Sequence, residues 1–204
     1  MRRTKEEAAR TREGIVEAAL ACFDRHGIAS TTLDQIAAEA NVTKGAVYWH
    51  FRGKHEILHA IRQQVSLPLL DRADCTLLHK PERPPLERVG RFLDGMLDAI
   101  ENDPRTRRAL TVMQFKCEYA DELVGELLDM RRNNDRLVAA LEQTYEDARR
   151  RGELAHGIEP RVAALETSIF LAGLVRLALL DRSRDGVRKN ARELIRQHVR
   201  SRSA

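Results

Sequence analysis

A chain of 204 residues with 43% hydrophobic and 32% charged side chains can bury a real core and still keep well-solvated faces. Its net charge of +4 is compatible with a polyanionic partner but too small to demonstrate one. Three widely separated cysteines, Cys22, Cys75 and Cys117, argue against a disulfide framework or a zinc knuckle and fit a reducing, cytoplasmic setting. No apolar stretch follows the opening Met1-Arg2-Arg3-Thr4-Lys5, so no signal peptide is expected. The longest apolar run, 168–180, is interrupted by Arg176 and reads as too short to span a bilayer, so no membrane partner is expected.

Leu, Ala, Arg and Glu dominate and β-branched runs are scarce, which predicts an all-α fold. Apolar residues Ala8, Ile15, Ala18, Ala19, Cys22 and Phe23 recur at helical spacing over 6–26, and Gly27 is placed to close that helix. Thr32 with Gln35 forms a capping box and starts a short second helix ending near Ala40. Asn41-Val42 makes a tight turn, since Asn accepts the left-handed conformation, and Thr43 caps a third short helix from 44 to about 50. A longer helix over 54–77 contains Pro68, which is expected to kink or split it. Pro81 to Pro85 punctuates the chain. Helices over 86–101, 104–116, 121–151, 160–180 and 187–200 follow, with Asp103-Pro104 as an N-terminal cap and Gly152 as a stop.

Helix, four-residue turn and helix over 32–51 is the geometry of a helix-turn-helix. Leu33, Ile36, Ala37, Ala40, Val42, Val47 and Phe51 are spaced to pack inward, which leaves Lys44, Gly45, Tyr48, Trp49 and His50 on other faces. Lysine offers a cation to phosphate or guanine, Tyr and His can donate to phosphate oxygens, and glycine lets the backbone come close to a duplex. The basic residues Arg2, Arg3 and Lys5 read chiefly as a solvated tail that adds non-specific attraction. The basic run from Arg182 to Arg202 reads as a solvated final helix.

The string Thr31-Thr32-Leu33-x-x-Ile36-Ala37-x-x-Ala40-Asn41-Val42-Thr43-Lys44-Gly45-Ala46-Val47-Tyr48-Trp49-His50-Phe51-x-x-Lys54 closely resembles the DNA-binding domain of the TetR family of bacterial repressors, over about residues 8 to 60. Asn41 departs from the glycine usual there. The opening Arg3-Thr4-Lys5-Glu6-Glu7-Ala8, the Tyr48-Trp49-His50-Phe51 string and Lys116-Cys117-Glu118-Tyr119 are similar to the AcrR-type branch, which controls multidrug efflux pumps. The resemblance implies an N-terminal three-helix helix-turn-helix domain (1–53), a C-terminal helical ligand-binding and dimerisation domain (54–204), and a homodimer on a pseudo-palindromic operator. It places Lys44, Gly45, Ala46, Tyr48 and His50 at or near the groove and phosphates, with Trp49 beside them. Thr32 and Lys54 fall on backbone phosphates, and Thr43 serves as a cap at the same surface. It also implies release by a small hydrophobic or cationic effector.

The stretch 162–180 is apolar almost all round and must be covered on several sides, which a second copy can provide together with the last helix. The expected interface residues are Leu171, Leu174, Val175, Ala178, Leu194 and Ile195. Candidate walls of an effector pocket are Leu67, Cys75, Phe92, Met96, Met113, Cys117, Phe170 and Leu174, where methionine suits an adaptable site. Glu118 or Asp71 could pair with a cationic molecule.

One motif points elsewhere. His55-Glu56-Ile57-Leu58-His59 matches H-E-x-x-H, which on a helix can hold zinc with the glutamate as general base. A zincin needs a third ligand, and His79, His156 and His198 stand in no ligand spacing. The zinc-hydrolase reading is therefore the minor alternative, alongside a helical scaffold that does not bind DNA. No catalytic residue, metal site or cofactor is expected.

Overall fold

The structure, a computed structural model, describes residues 5–117, 124–181 and 186–204. Among these it contains nine helices and no strand: α1 (Lys5–His26), α2 (Leu33–Glu39), α3 (Lys44–His50), α4 (Lys54–Leu77), α5 (Pro85–Asn102), α6 (Pro104–Phe115), α7 (Val124–Arg150), α8 (Pro160–Leu180) and α9 (Val187–Arg200). Arg2, Arg3, Glu118, Tyr119, Asp121 and Arg182, all used in reading the sequence, lie outside the described residues.

Local chemistry explains most boundaries. Gly27 stops α1 at φ 79°, and Gly152 follows α7 at φ 71°, both in the left-handed region that glycine enters without penalty. Asp103 caps α6: its carboxylate accepts from the Arg105 N–H at 3.0 Å and from the Thr106 hydroxyl at 2.6 Å. Pro68 lies inside α4, and the helix is continuous across it, so of the expected kink or split the split does not occur. One ladder hydrogen bond is lost there, and the remaining turns hold.

The described residues group into two compact units. One takes residues up to 66 together with those of 108–127; the other takes 67–107 with those of 128–204.

In the first unit α1 packs on α2 and α3, and α2 packs on α3. Its buried residues include Ile15, Val16, Leu20 and Phe23 from α1, Ile36 and Ala37 from α2, Val47 from α3, and Ile57, Leu58 and Ile61 from α4. Polar ties join the end of α6 to the end of α1. The Lys116 ammonium donates to the Asp24 carbonyl and stands 3.3 Å from its carboxylate, and Arg108 lies 3.6 Å from the same carboxylate.

In the second unit α5, α8 and α9 pack pairwise. Arg88 on α5 is buried, donates to the Leu77 carbonyl at 2.6 Å and pairs with Asp147 on α7. Burial opposes ionisation of Asp147, but hydrogen bonds and charge from Arg151 and Arg88 outweigh it and hold the carboxyl below its usual range. The last residues lie along the loop before α8: the Ala155 N–H donates to the Arg202 carbonyl and the Ala204 N–H to the Glu153 carbonyl, each at 2.9 Å.

α8 is 21 residues long and, by length and composition, apolar enough to cross a membrane. That length exceeds the run read from the sequence. Half of its most apolar window is buried inside the protein, as in a core helix.

Inside this unit Tyr145, Thr167 and His198 form a hydrogen-bonded row, with 2.7 Å between the Tyr145 and Thr167 hydroxyls and 2.9 Å from Thr167 Oγ1 to His198 Nε2. Phe170 stacks on the imidazole at 4.1 Å between ring centroids. Burial, helped by the Arg202 charge, pushes the His198 pKa down to about 4. A histidine whose folded pKa lies below its unfolded value leaves stability complete above about pH 6.5 and removes it as pH falls from there toward 4. Thermal melts between pH 7.5 and 5 should show the melting temperature dropping below pH 6.5, with His198→Gln giving a shallower decline. The lowered carboxyls Asp103, Asp147 and Glu193 titrate below this window. Equal slopes for the two proteins would show that His198 does not titrate with folding.

Candidate nucleic-acid interface

The surface is built from two capped helices and the turn between them. Thr32 Oγ1 accepts from the Gln35 N–H at 3.2 Å, and the Gln35 side chain accepts in return from the Thr32 N–H at 2.8 Å, which completes a capping box on α2. Thr43 Oγ1 accepts from the Ala46 N–H at 3.1 Å and starts α3. Asn41 sits at φ 52° between them, and the Val42 N–H returns to the Ala37 carbonyl at 3.0 Å. Ile36 and Val47 are wholly buried, so α3 is held by its inner face.

Its outer face is open. Trp49 is 73% exposed and Tyr48 52%, which leaves two aromatic rings open to solvent on one short helix. Trp49 meets His50 edge to face at 4.4 Å between centroids. A Cβ added at Gly45 would meet only Thr43 Oγ1, at 3.9 Å, so the fold itself does not require glycine there. The Lys44 ammonium stands 2.8 Å from the Asp34 carboxylate on α2, a hydrogen bond that raises the lysine's pKa above its ordinary value. The cap Thr43 is exposed, Ala46 half-buried and Lys44 exposed, so Thr43, Lys44, Gly45, Tyr48 and Trp49 share one accessible surface with Ala46 and His50 at its edge.

Lys54 has another occupation. Its ammonium donates to the Ile28 carbonyl at 2.7 Å and the Ala29 carbonyl at 3.0 Å, so it ties the start of α4 to the loop before α2. One of its three N–H donors is left for a phosphate. The reading of the sequence did not single out Asp34, or the Arg25–Glu39 pair that braces α1 against α2. An acidic residue in a first helical turn reads as a partner for the helix dipole, and only the folded turn brings it to Lys44.

The H-E-x-x-H motif lies at the start of α4. Glu56 accepts from the Arg52 N–H at 2.9 Å, as a helix-start residue does. The Arg62 guanidinium donates to His59 Nδ1 at 3.2 Å, and the Gln63 side-chain amide lies 2.8 Å from Nε2. Among the described residues no group of three or more His, Cys, Asp and Glu is disposed to hold a metal.

These features coincide with similarity to known proteins. Residues 15–61 match the bacterial regulatory proteins of the tetR family, and residues 84–202 match the C-terminal region of MAATS-type transcriptional repressors. The chain is 33% identical over 184 residues to the HTH-type transcriptional regulator TtgR of Pseudomonas putida, covering 88% of this chain and 85% of that one. The chain belongs to the TetR family of bacterial regulatory proteins. It is similar in structure to NalD, the secondary repressor of the MexAB-OprM multidrug efflux pump in Pseudomonas aeruginosa, with a TM-score of 0.82 at 28% identity over 96% of this chain and 97% of that one. The SmeT–triclosan complex matches with a TM-score of 0.81 at 27% identity over 95% and 92% of the two chains. As a TetR-family protein it is a DNA-binding transcriptional regulator, and the zinc-hydrolase alternative finds no support in these relatives.

The second unit covers most of the residues expected at a subunit interface. Leu171, Leu174, Val175, Ala178 and Ile195 are buried within the protomer, and of the six expected residues only Leu194 is exposed, at 38%. The apolar face left open on α8 is carried by Val162, Leu165, Ile169, Leu177 and Leu180, of which Ile169 is 72% exposed. A helix apolar on all sides gives no pattern from which to tell the stripe turned inward from the one turned outward.

The residues expected to line a pocket divide as well. Phe92, Met113 and Leu174 are buried, Met96, Cys117 and Phe170 half-buried, and Leu67 and Cys75 exposed. Cys75 lies on the side of α4 opposite the buried Ala73 and Leu77, which takes it away from the interior. Asp71 is paired with Arg136 at 3.5 Å.

The turn yields a direct test. A left-handed residue with a Cβ costs about 1 kcal/mol, less for Asn, and nothing comparable for Gly. Urea unfolding at fixed protein concentration should show Asn41→Ala losing about 1 kcal/mol and Asn41→Gly losing none. Equal stability of Ala and Asn would mean that the turn is not held in this conformation.

Proposed function

We propose that this TetR-family chain is a ligand-released repressor of a multidrug efflux operon, acting in the cytoplasm as a homodimer on a pseudo-palindromic operator. The observation that carries the reading is the outer face of α3. Lys44, Tyr48 and Trp49 stand exposed on a helix whose position is set by two caps and a buried inner face. Those groups suit a major groove: an ammonium for phosphate or guanine, a phenol for a phosphate oxygen, and an indole for apolar contact with a base or sugar. The efflux assignment draws on the printed roles of similar proteins, among them NalD, and the effector on the triclosan bound by SmeT.

Repression by a dimer fits this reading. Two copies of α3 related by a two-fold axis read two half-sites about one helical turn apart. In this reading the exposed α8 stripe with Leu194 joins the copies, and the domain division falls near 53/54, with the reader before it and the sensing and pairing body after it. The effector, a small hydrophobic or cationic molecule, binds among residues of the second unit such as Phe92, Met96, Phe170 and Leu174. It releases DNA by preferring a conformer in which the two α3 helices no longer match the groove spacing, a coupling of about 1–3 kcal/mol.

Two measurements bear on this. Lys44→Ala and Tyr48→Phe should each weaken binding to promoter DNA by about 5- to 100-fold in fluorescence anisotropy at low salt, with unchanged helical content. Wild-type affinity in both would remove α3 from the interface. Ile169→Glu should convert dimer to monomer in sedimentation equilibrium, because a carboxylate on each copy would be buried without a partner; a dimer that persists would place the subunit contact elsewhere.

A further inference from the structure

Residues 27–56, which run from the α1 stop through the reader to the start of α4, contain three cations (Lys44, Arg52 and Lys54) and three acids (Asp34, Glu39 and Glu56), so their formal charge is 3 − 3 = 0 with His neutral. A surface that meets DNA usually carries an excess of positive charge, because non-specific affinity comes almost entirely from phosphate neutralisation. Here each cation has an internal partner. Lys54 donates to the Ile28 and Ala29 carbonyls, Arg52 lies 3.9 Å from Glu56, and Lys44, the sole cation on α3, is held at 2.8 Å by Asp34. Arg25, just before this stretch, is paired with Glu39.

The Lys44–Asp34 pair differs from the others in its position. Both side chains are more than half exposed, on the face that Tyr48 and Trp49 also occupy. Asp34 comes from the first turn of α2 and reaches across the turn to the first residue of α3, so its carboxylate occupies the kind of place beside the ammonium that a phosphate oxygen would take. A lysine on its own is a flexible point charge that finds a phosphate in any register. A lysine tethered at 2.8 Å is presented in one place.

We infer that Asp34 is a specificity determinant: it holds the ammonium of Lys44 where a duplex docked in a single register can use it, and withholds it from phosphates met in other registers. This rests on α3 being the DNA-reading helix. A non-specific complex must draw Lys44 away from Asp34 to gain a contact. An operator complex takes the lysine where it already stands and retains its aromatic and base contacts whatever the state of the pair. Removing the carboxylate charge therefore helps random DNA more than the operator.

The test uses the full-length protein, a duplex that the wild type selects from a random pool, and a scrambled duplex of the same composition. Kd is measured for wild type, Asp34→Asn, Lys44→Ala and the double variant over a range of KCl concentrations. Asp34→Asn should tighten scrambled-DNA binding roughly 3-fold at low salt, within the range of an exposed ion pair, and leave operator binding within about 2-fold. It should also steepen the log–log salt dependence on scrambled DNA by about 0.9, one released counterion. In the Lys44→Ala background Asp34→Asn should leave the operator-to-scrambled ratio unchanged, because loss of one negative charge then acts on both duplexes alike. A wild-type selection that enriches no duplex overturns the reading of α3 on which this rests. If wild type binds its selected duplex but Asp34→Asn leaves the operator-to-scrambled ratio unchanged, or shifts it equally with and without Lys44, the role of Asp34 is overturned and the DNA reading stands. Circular dichroism checks that Asp34→Asn is folded; Asp34→Glu, which can restore the pair, should return the ratio toward wild type, and a ratio that stays at the Asp34→Asn value counts against the inference.

Discussion

The reader depends on a turn that joins Ala40 to Thr43. Asn41 in the left-handed region reverses the chain within one residue, and the Val42 N–H returns to the Ala37 carbonyl. That geometry helps set the angle between α2 and α3. Ile36, Ala37 and Val47 then close the wedge between them, and the two threonine caps end fraying at both helix starts. A helix of seven residues has little stability of its own. It can present side chains to DNA only because the turn, the cap and the buried face fix it together.

The second unit carries exposed ion pairs, Arg192–Asp98 among them, and also pairs inside the protein: Arg88 is buried and ties the last turn of α4 to α7 through the Leu77 carbonyl and Asp147. Removing one partner of such a pair would leave a buried charge without compensation. In the first unit the pairs lie near the surface, where water screens them and each contributes little to stability. The weakness that makes exposed pairs poor structural ties is what the role proposed for the Lys44–Asp34 pair draws on.

The apolar face of α8 and the hydrogen-bonded row under it belong to one arrangement. Thr167 and His198 are satisfied within the protomer, and Tyr145 is buried against them, so polar groups at this level need no water. The stripe of Val162, Leu165, Ile169, Leu177 and Leu180 lies on the other side of the same helix from Thr167 and stays apolar on its outer side. Such a stripe on a DNA-binding regulator calls for a cover, and a second copy of the same stripe meets its chemistry without introducing charge.

What could be read from the sequence by itself was whatever is decided within a few residues. The Thr32–Gln35 capping box, the Thr43 cap, the glycine stops at 27 and 152, the Asp103 cap and the left-handed Asn41 are all local, and with them came most of the helix boundaries. Tertiary structure alone decided which stripe of α8 faces outward, because Leu171 and Ile169 are equally apolar and only the positions of α5 and α9 bury one and leave the other exposed. It also decided that Lys44 meets Asp34 and that Lys54 meets the carbonyls of Ile28 and Ala29, contacts that span 10, 26 and 25 residues and follow from how the chain returns on itself. Sequence spacing records which side chains share a helix face; it carries no record of which distant group will stand opposite that face once the helices pack.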